Sequence, residues 1–405
     1  MDHLTAFETA SPMAQGRSGP LSDVRVVDVT QALAGPYCTM ILADMGADVI
    51  KVEAPSGDLS RFAPPYHEDD TDRHFGGYFA SINRNKRAIA LDLKTPEGIQ
   101  TLLRLLEGAD VLVENFTAGV MERLGLAWEV LHERFPSLVY AAIRGFGDPR
   151  SGESPHAEWP AFDVVAQSMG GLVSCTGTDE EHQVTSGPSV GDIYPATMCA
   201  IGVLGALHHA RRTGEGQFVD VGMADAVMAL CESVTWRYSY TGEIQAPRGT
   251  EHPSLSPFNV YPTADGSCAI AALTPGQWKL MCGHLERPDL IDDDRTRTSN
   301  RRARNREFVN ALMIEWTTSH TTAEIVELLG GEVPVGPVND AAALFASEHV
   351  KARDMLVQVE HPGSDRPAVL PNTPLRFSAT PAGIHRRPPM LDEHRDELLG
   401  ELDAT

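Results

Sequence analysis

Short β-branched runs alternate with helix-forming stretches through the first half of this chain, and that rhythm leaves few folds open. Val24–Val29, Asp48–Val52, Ala88–Leu93, Val111–Val113, Leu138–Ile143 and Gln217–Val221 read as strands. Between the first two, Gly35-Pro36 opens a helix that runs to about Gly46, with Pro at the tolerated first turn. Thr95-Pro96-Glu97 starts another, with Thr as N-cap, Pro at the first helical position and an acid near the positive end of the dipole. It runs to about Glu107. Ile193–Arg212 is a long, mostly apolar helix ended by Gly214, with Arg211 and Arg212 complementing its dipole. Ala224–Tyr240 is a further helix. Strands alternating with helices predict an α/β fold: a mostly parallel sheet covered by helices.

The chain has 405 residues, more than a single core usually holds, so two domains are expected. Residues 1–20 are polar, with Gly, Ser and Pro, and read as a flexible arm rather than a signal peptide. Residues 21–241 form the first part of a large α/β domain. Residues 242–257, rich in Gly, Pro, Ser and charge, are a linker. Residues 258–333 read as a smaller α+β domain, and 334–405 as a return segment that completes the large one. No stretch reads as the roughly 18–20 apolar residues that span a bilayer.

The net charge of −23 disfavours nucleic acid and anionic membrane surfaces as partners. Five of the 33 basic residues are lysine; that skew fits either an acidic, salt-adapted surface or a high-GC genome. The six cysteines are scattered with no CxxC, and no clustered His/Cys spacing occurs. No metal site and no disulfide framework are expected, which fits a reducing cytoplasm. The turn after the first strand, Thr30-Gln31-Ala32-Leu33-Ala34-Gly35-Pro36, lacks the G-x-G-x-x-G of a nicotinamide dehydrogenase. There is no Walker A and no G-x-S-x-G elbow.

Asp192 is the candidate nucleophile. It follows Gly191 and precedes the long apolar helix. A carboxylate there is ordinarily an N-cap, while the same N–H groups can also stabilise an oxyanion. Around it lies an ordered set of separated motifs. They are Val27-Asp28-Val29-Thr30 with Ala34-Gly35-Pro36; Asp44-Met45-Gly46-Ala47-Asp48-Val49-Ile50-Lys51-Val52-Glu53; Asn83-Arg84-Asn85-Lys86-Arg87 with Leu91-Asp92-Leu93-Lys94; Val113-Glu114-Asn115-Phe116 with Glu122-Arg123-Leu124-Gly125; Phe162-Asp163 with Gln167-Ser168-Met169-Gly170-Gly171; Gly191-Asp192; and Thr213-Gly214-Glu215-Gly216-Gln217. In order and spacing the chain resembles the class III CoA transferases, the family of formyl-CoA transferase, the carnitine CoA transferases and α-methylacyl-CoA racemase.

The resemblance implies a Rossmann-like large domain, a small insertion domain and two interlocked chains. It implies that Asp192 attacks an acyl-CoA thioester, forming an aspartyl anhydride and then an aspartyl-CoA thioester, with no metal or cofactor beyond CoA as substrate. Lys86, Arg87, Arg123 and Arg144 match contacts to CoA, and Gln31, Leu33, Ala34, Asn115 and Gly191 match substrate-binding positions. Formyl-CoA transferase-like members carry Gln directly before Ala-Gly-Pro. Here that residue is Leu33, with Gln31 two positions earlier, so the oxalate/formate pair is disfavoured. Succinyl-CoA as donor and a small dicarboxylate of mesaconate or citramalate type as acceptor are expected by analogy. A racemase shares the Asp but needs a second base, and the family's Gly-His-Asp reads Ala161-Phe162-Asp163 here. An inactive CoA-binding subunit is the non-enzymatic alternative, against which the intact Gly191-Asp192 argues.

Overall fold

The computed structural model describes residues 19–404 except 72 and 74. The arm expected over 1–20 therefore lies outside the described residues save its last two. The described residues divide into two compact units, one running from 19 to 172, 185 to 242 and 347 to 404 and one of 173–184 and 243–346.

The larger unit is built on six parallel strands. These are β1 (Arg25–Asp28), β2 (Asp48–Glu53), β3 (Arg87–Ala90), β4 (Val111–Glu114), β5 (Val139–Arg144) and β6 (Phe218–Gly222), in the order β3-β2-β1-β4-β5-β6. This is the doubly wound order, whose direction reverses between β1 and β4. Strands β1 to β5 are buried almost throughout, as parallel strands covered on both faces must be. The helices between them are α1 (Ala34–Asp44), α2 (Gly77–Asn83), α3 (Pro96–Glu107), α4 (Val120–Arg123), α5 (Trp128–Arg134), α6 (Asp163–Met169) and α8 (Val190–Thr213), while the short α7 (Leu172–Cys175) passes into the smaller unit. Helices α9 (Met223–Leu230) and α10 (Glu232–Thr241) follow β6. The single helix expected over Ala224–Tyr240 is thus two, broken at Cys231. Thr95 caps α3 as its sequence predicts, its hydroxyl accepting from the Gly98 N–H at 3.1 Å.

The core has two halves, one on each face of this sheet. One gathers Val26, Val49, Val113 and Ile143 with Leu42 of α1 and Cys199 and Val203 of α8. The other gathers Val27, Ile50, Leu112 and Tyr140 with Leu102 and Leu106 of α3. Helix α8 corrects the expectation that no span-length apolar stretch exists, since it is long and apolar enough to cross a membrane, with an 18-residue window of mean hydropathy 1.5. Its contacts with α1, β5 and β6 make it a core helix instead.

The smaller unit carries an antiparallel sheet of β7 (Phe258–Pro262), β8 (Ser267–Ala271) and β9 (Val335–Pro337). Helices α11 (Pro275–His284), α12 (Ser299–Arg304), α13 (Arg306–Thr317), α14 (Thr322–Leu329) and α15 (Ala341–Ala346) accompany it. Because Val335–Pro337 adds a third strand here, the chain returns to the larger unit at Ser347 rather than at Pro334. That return brings α16 (Glu348–Ala352), the hairpin β10 (Leu356–Val359) and β11 (Ala368–Pro371), and α17 (Arg395–Asp403).

Candidate active site

The loop after β1 is held almost atom by atom. The Thr30 N–H donates to Asp28 Oδ1 at 2.9 Å, and Lys51 Nζ donates to the Thr30 carbonyl at 3.0 Å. Gln31 exchanges two bonds with Asn115: its N–H donates to Oδ1 at 2.9 Å, and Asn115 Nδ2 donates to its carbonyl at 2.8 Å. The Ala32 N–H donates to Asp58 Oδ1 at 3.2 Å. Ala32 takes φ 63°, a left-handed conformation that an alanine adopts only where its surroundings over-determine it. Gln31 and Asn115 therefore meet across the point where strand order reverses, where open α/β sheets bind ligands. A cleft of about 250 Å³ opens there, lined among others by Gln31, Gly57, Asp92, Lys94 and Phe116.

Beneath the loop lies a buried ionic cluster. Burial alone would raise the Asp28 carboxyl. The Lys86 and Lys51 ammoniums and the Thr30 and Thr39 hydroxyls instead hold it at about 2. Lys86 has no exposed surface, and its Nζ donates to Asp28, the Pro36 carbonyl and Asn83. Arg87 is spent on Asp48, Glu397 and Glu401. Arg144 pairs with Glu114 at 2.6 Å and with Asp148. Each of these three cations is buried against acids of the same chain. Arg123 is exposed and lines a second cleft, of about 620 Å³, with Thr117 and Arg150. Lys94, quoted in a motif but given no site role by the sequence reading, is exposed at the rim of the first cleft.

Asp192 stands in the first turn of α8. The helix starts at Val190 and its N-cap is Ser189, so Asp192 is not the cap that its position before the apolar run suggested. Its side chain is half-buried. Burial first, and the neighbouring Asp163 carboxylate second, push Asp192 up to about 7. Burial outweighs the helix dipole, which favours the charged form. Gly191 has no room for a side chain: a Cβ would lie 2.5 Å from the Asp163 carbonyl oxygen and 2.9 Å from its Oδ1. Tyr78 of α2 faces the same place. Burial raises its phenol to about 12, with further push from the charges of Asp192, Asp58 and Asp163. Its ring packs in a small apolar cluster with Leu33, Met40 and Ile82. Ala34 is buried at the start of α1, whose N-terminus has no side-chain cap and no acid in its first turn.

Beside the apolar cluster of α1 and α2 stands a half-buried carboxylate whose proton affinity is raised to about 7, and a separate cleft opens at the switch point with Lys94 on its rim. A carboxylate of raised proton affinity in a partly dry pocket is a nucleophile or a base. Sequence reading missed the roles of Asp163 and Tyr78. Asp163 stood in a quoted motif, while Tyr78 carried no local signal.

The profile of CoA-transferase family III matches residues 21–395. The succinyl-CoA:mesaconate CoA-transferase of Haloarcula marismortui is 45% identical over 383 residues, 95% of this chain and 96% of that protein. The succinate–glutarate CoA-transferase of Agrobacterium fabrum is 36% identical, covering 96% of this chain and 97% of its own. Among solved structures, a CAIB/BAIF family protein from Brucella suis superposes with a TM-score of 0.83 at 34% identity, covering 96% of this chain and all of that one.

Proposed function

This chain belongs to CoA-transferase family III, and we propose that it moves CoA from succinyl-CoA to a small dicarboxylic acid of mesaconate type, using Asp192 as a covalent nucleophile. The carrying observation is the half-buried Asp192 in the first turn of α8, its proton affinity raised to about 7. An Asp192 oxygen attacks the thioester carbonyl carbon, the C–S bond breaks, and CoA leaves as thiolate. The resulting anhydride is attacked at the Asp192 carboxyl carbon by that thiolate, releasing succinate and leaving an aspartyl-CoA thioester. The acceptor carboxylate then attacks this carbon, expelling CoA thiolate and forming a new anhydride. Thiolate attack on the acceptor's acyl carbon gives the product and restores Asp192. Each step exchanges one activated acyl group for another, so the sequence needs no ATP, and exclusion of water protects the anhydrides.

We assign the nucleotide end of CoA to the cleft at the switch point, with Lys94 on its rim, and Arg123 of the second cleft to its phosphates. Arg123→Ala is expected to raise the KM for succinyl-CoA with little change in kcat, because phosphates remote from the carbonyl contribute largely uniform binding. Arg144→Met should act differently. It leaves Glu114 buried without its cation, while Asp148 keeps Arg150, a loss of about 3–5 kcal/mol visible as a lowered Tm.

A second copy of this chain accounts for an uncovered apolar face. Met198 and Ile201 of α8, Met228 of α9 and Trp236 of α10 are large exposed apolar side chains. Sedimentation at working concentration should give a homodimer, and a stable monomer would remove this part of the reading. Purified enzyme should be given succinyl-CoA with mesaconate, citramalate, glutarate or formate, and the CoA products read by mass spectrometry. Transfer to a dicarboxylate supports the proposal; transfer to formate alone, or to none, counts against it.

A further inference from the structure

We infer that Asp163 is a positioning residue: with Gln167 it pins the first turn of α8, aims the Asp192 carboxylate and governs its proton. The inference rests on the reading of Asp192 as nucleophile. Two tethers that usually hold a helix start are missing from α8. Ser189 makes no side-chain cap bond. Pro195, inside the helix, has no N–H to give the Gly191 carbonyl four residues earlier. The first turn is held from outside instead. Asp163 Oδ1 accepts the Gly191 N–H at 2.8 Å. Gln167, fully buried, donates Nε2 to both Asp163 oxygens at 2.9 and 2.8 Å, and its Oε1 accepts the Ser186 N–H at 2.9 Å. One carboxylate and one amide on α6 therefore grip both the segment entering α8 and the residue before the nucleophile. The absent Cβ of Gly191 is what lets the two elements approach so closely.

The same contacts divide the labour between two acids. Asp163 takes the hydrogen-bond donors, the Gly191 N–H and the Gln167 amide. Asp192 is left with burial and a like charge beside it, so its proton affinity rises to about 7. The titratable groups that face it are Asp163 from α6 and Tyr78 from α2, whose phenol also feels Asp58. A carboxylate of higher proton affinity is a stronger nucleophile once ionised, so the arrangement trades charge at low pH for reactivity at neutral pH.

The test compares pH profiles of kcat/KM for the full-length enzyme with succinyl-CoA and mesaconate. Wild type should gain activity as pH rises through about 7, where Asp192 ionises. Asp163→Asn removes the neighbouring charge, so the profile should shift to lower pH while kcat at pH 8 falls about tenfold or more. Gln167→Met keeps the Asp163 charge but loses the grip. Its profile should stay in place, with kcat lowered about tenfold and KM little changed. A folded Asp163→Asn enzyme with an unmoved profile overturns the inference. Should that variant not fold, Gln167→Met decides alone, and a wild-type kcat there overturns it. Wild-type enzyme that transfers CoA to none of the acids tested would instead overturn the nucleophile reading, and this inference with it.

Discussion

Asp192→Asn will fold and will not transfer CoA. Asn keeps the size of Asp, and the N-cap of α8 is Ser189, so no capping bond is lost. The sign of the charge effect also favours folding. The folded pKa of about 7 lies well above that of a free aspartate, so the ionised form costs stability at pH 8 and nothing at pH 3. Asn removes that cost, so the variant should be at least as stable as wild type at pH 8. It cannot form the anhydride, because an amide has no carboxylate oxygen to attack with. Transfer should fall roughly ten-thousand-fold, the scale seen when a covalent nucleophile is removed. Steady-state assays alongside a thermal melt separate this outcome from misfolding.

Gly191→Ala should also lower the rate, without touching a reactive group. The new Cβ would lie 2.5 Å from the backbone carbonyl oxygen of Asp163 and 3.1 Å from the Ala166 Cβ. Backbone cannot swing aside as a long side chain can, so α6 or the first turn of α8 must move. A displacement of about 1 Å at a nucleophile costs on the order of 100-fold in rate. Overpacking of this kind costs about 1–3 kcal/mol. We expect kcat to fall about 100-fold, with a lowered Tm and a KM for succinyl-CoA close to wild type. An unchanged kcat would mean that the two helix starts are not closely coupled.

The strands and most helices were legible because their signals are local. Thr95-Pro96-Glu97 places a helix start with three adjacent residues, and the structure begins α3 there. The β-branched runs mark buried parallel strands wherever they fall. Features set by distant residues were not legible. Sequence shows Lys86, Arg87 and Arg144 as charges but not that Asp28, Asp48 and Glu114 lie against them. The start of α8 was read three residues late because Asp is a good cap in isolation. In the fold, Asp163, 28 residues before Gly191, already holds that turn. The exchange between Gln31 and Asn115 spans 84 residues and exists only because β1 and β4 are neighbours.

The central claim is that the acyl group passes through Asp192, and one measurement addresses it directly. Wild-type enzyme is incubated with succinyl-CoA, quenched in hydroxylamine, digested and read by mass spectrometry. Anhydride and thioester both react with hydroxylamine, so the peptide containing Asp192 should carry a hydroxamate that depends on succinyl-CoA. The same peptide from Asp192→Asn should be unmodified. Wild-type enzyme that transfers CoA at full rate while this peptide stays unmodified would contradict the account and leave Asp192 a buried acid without a covalent role.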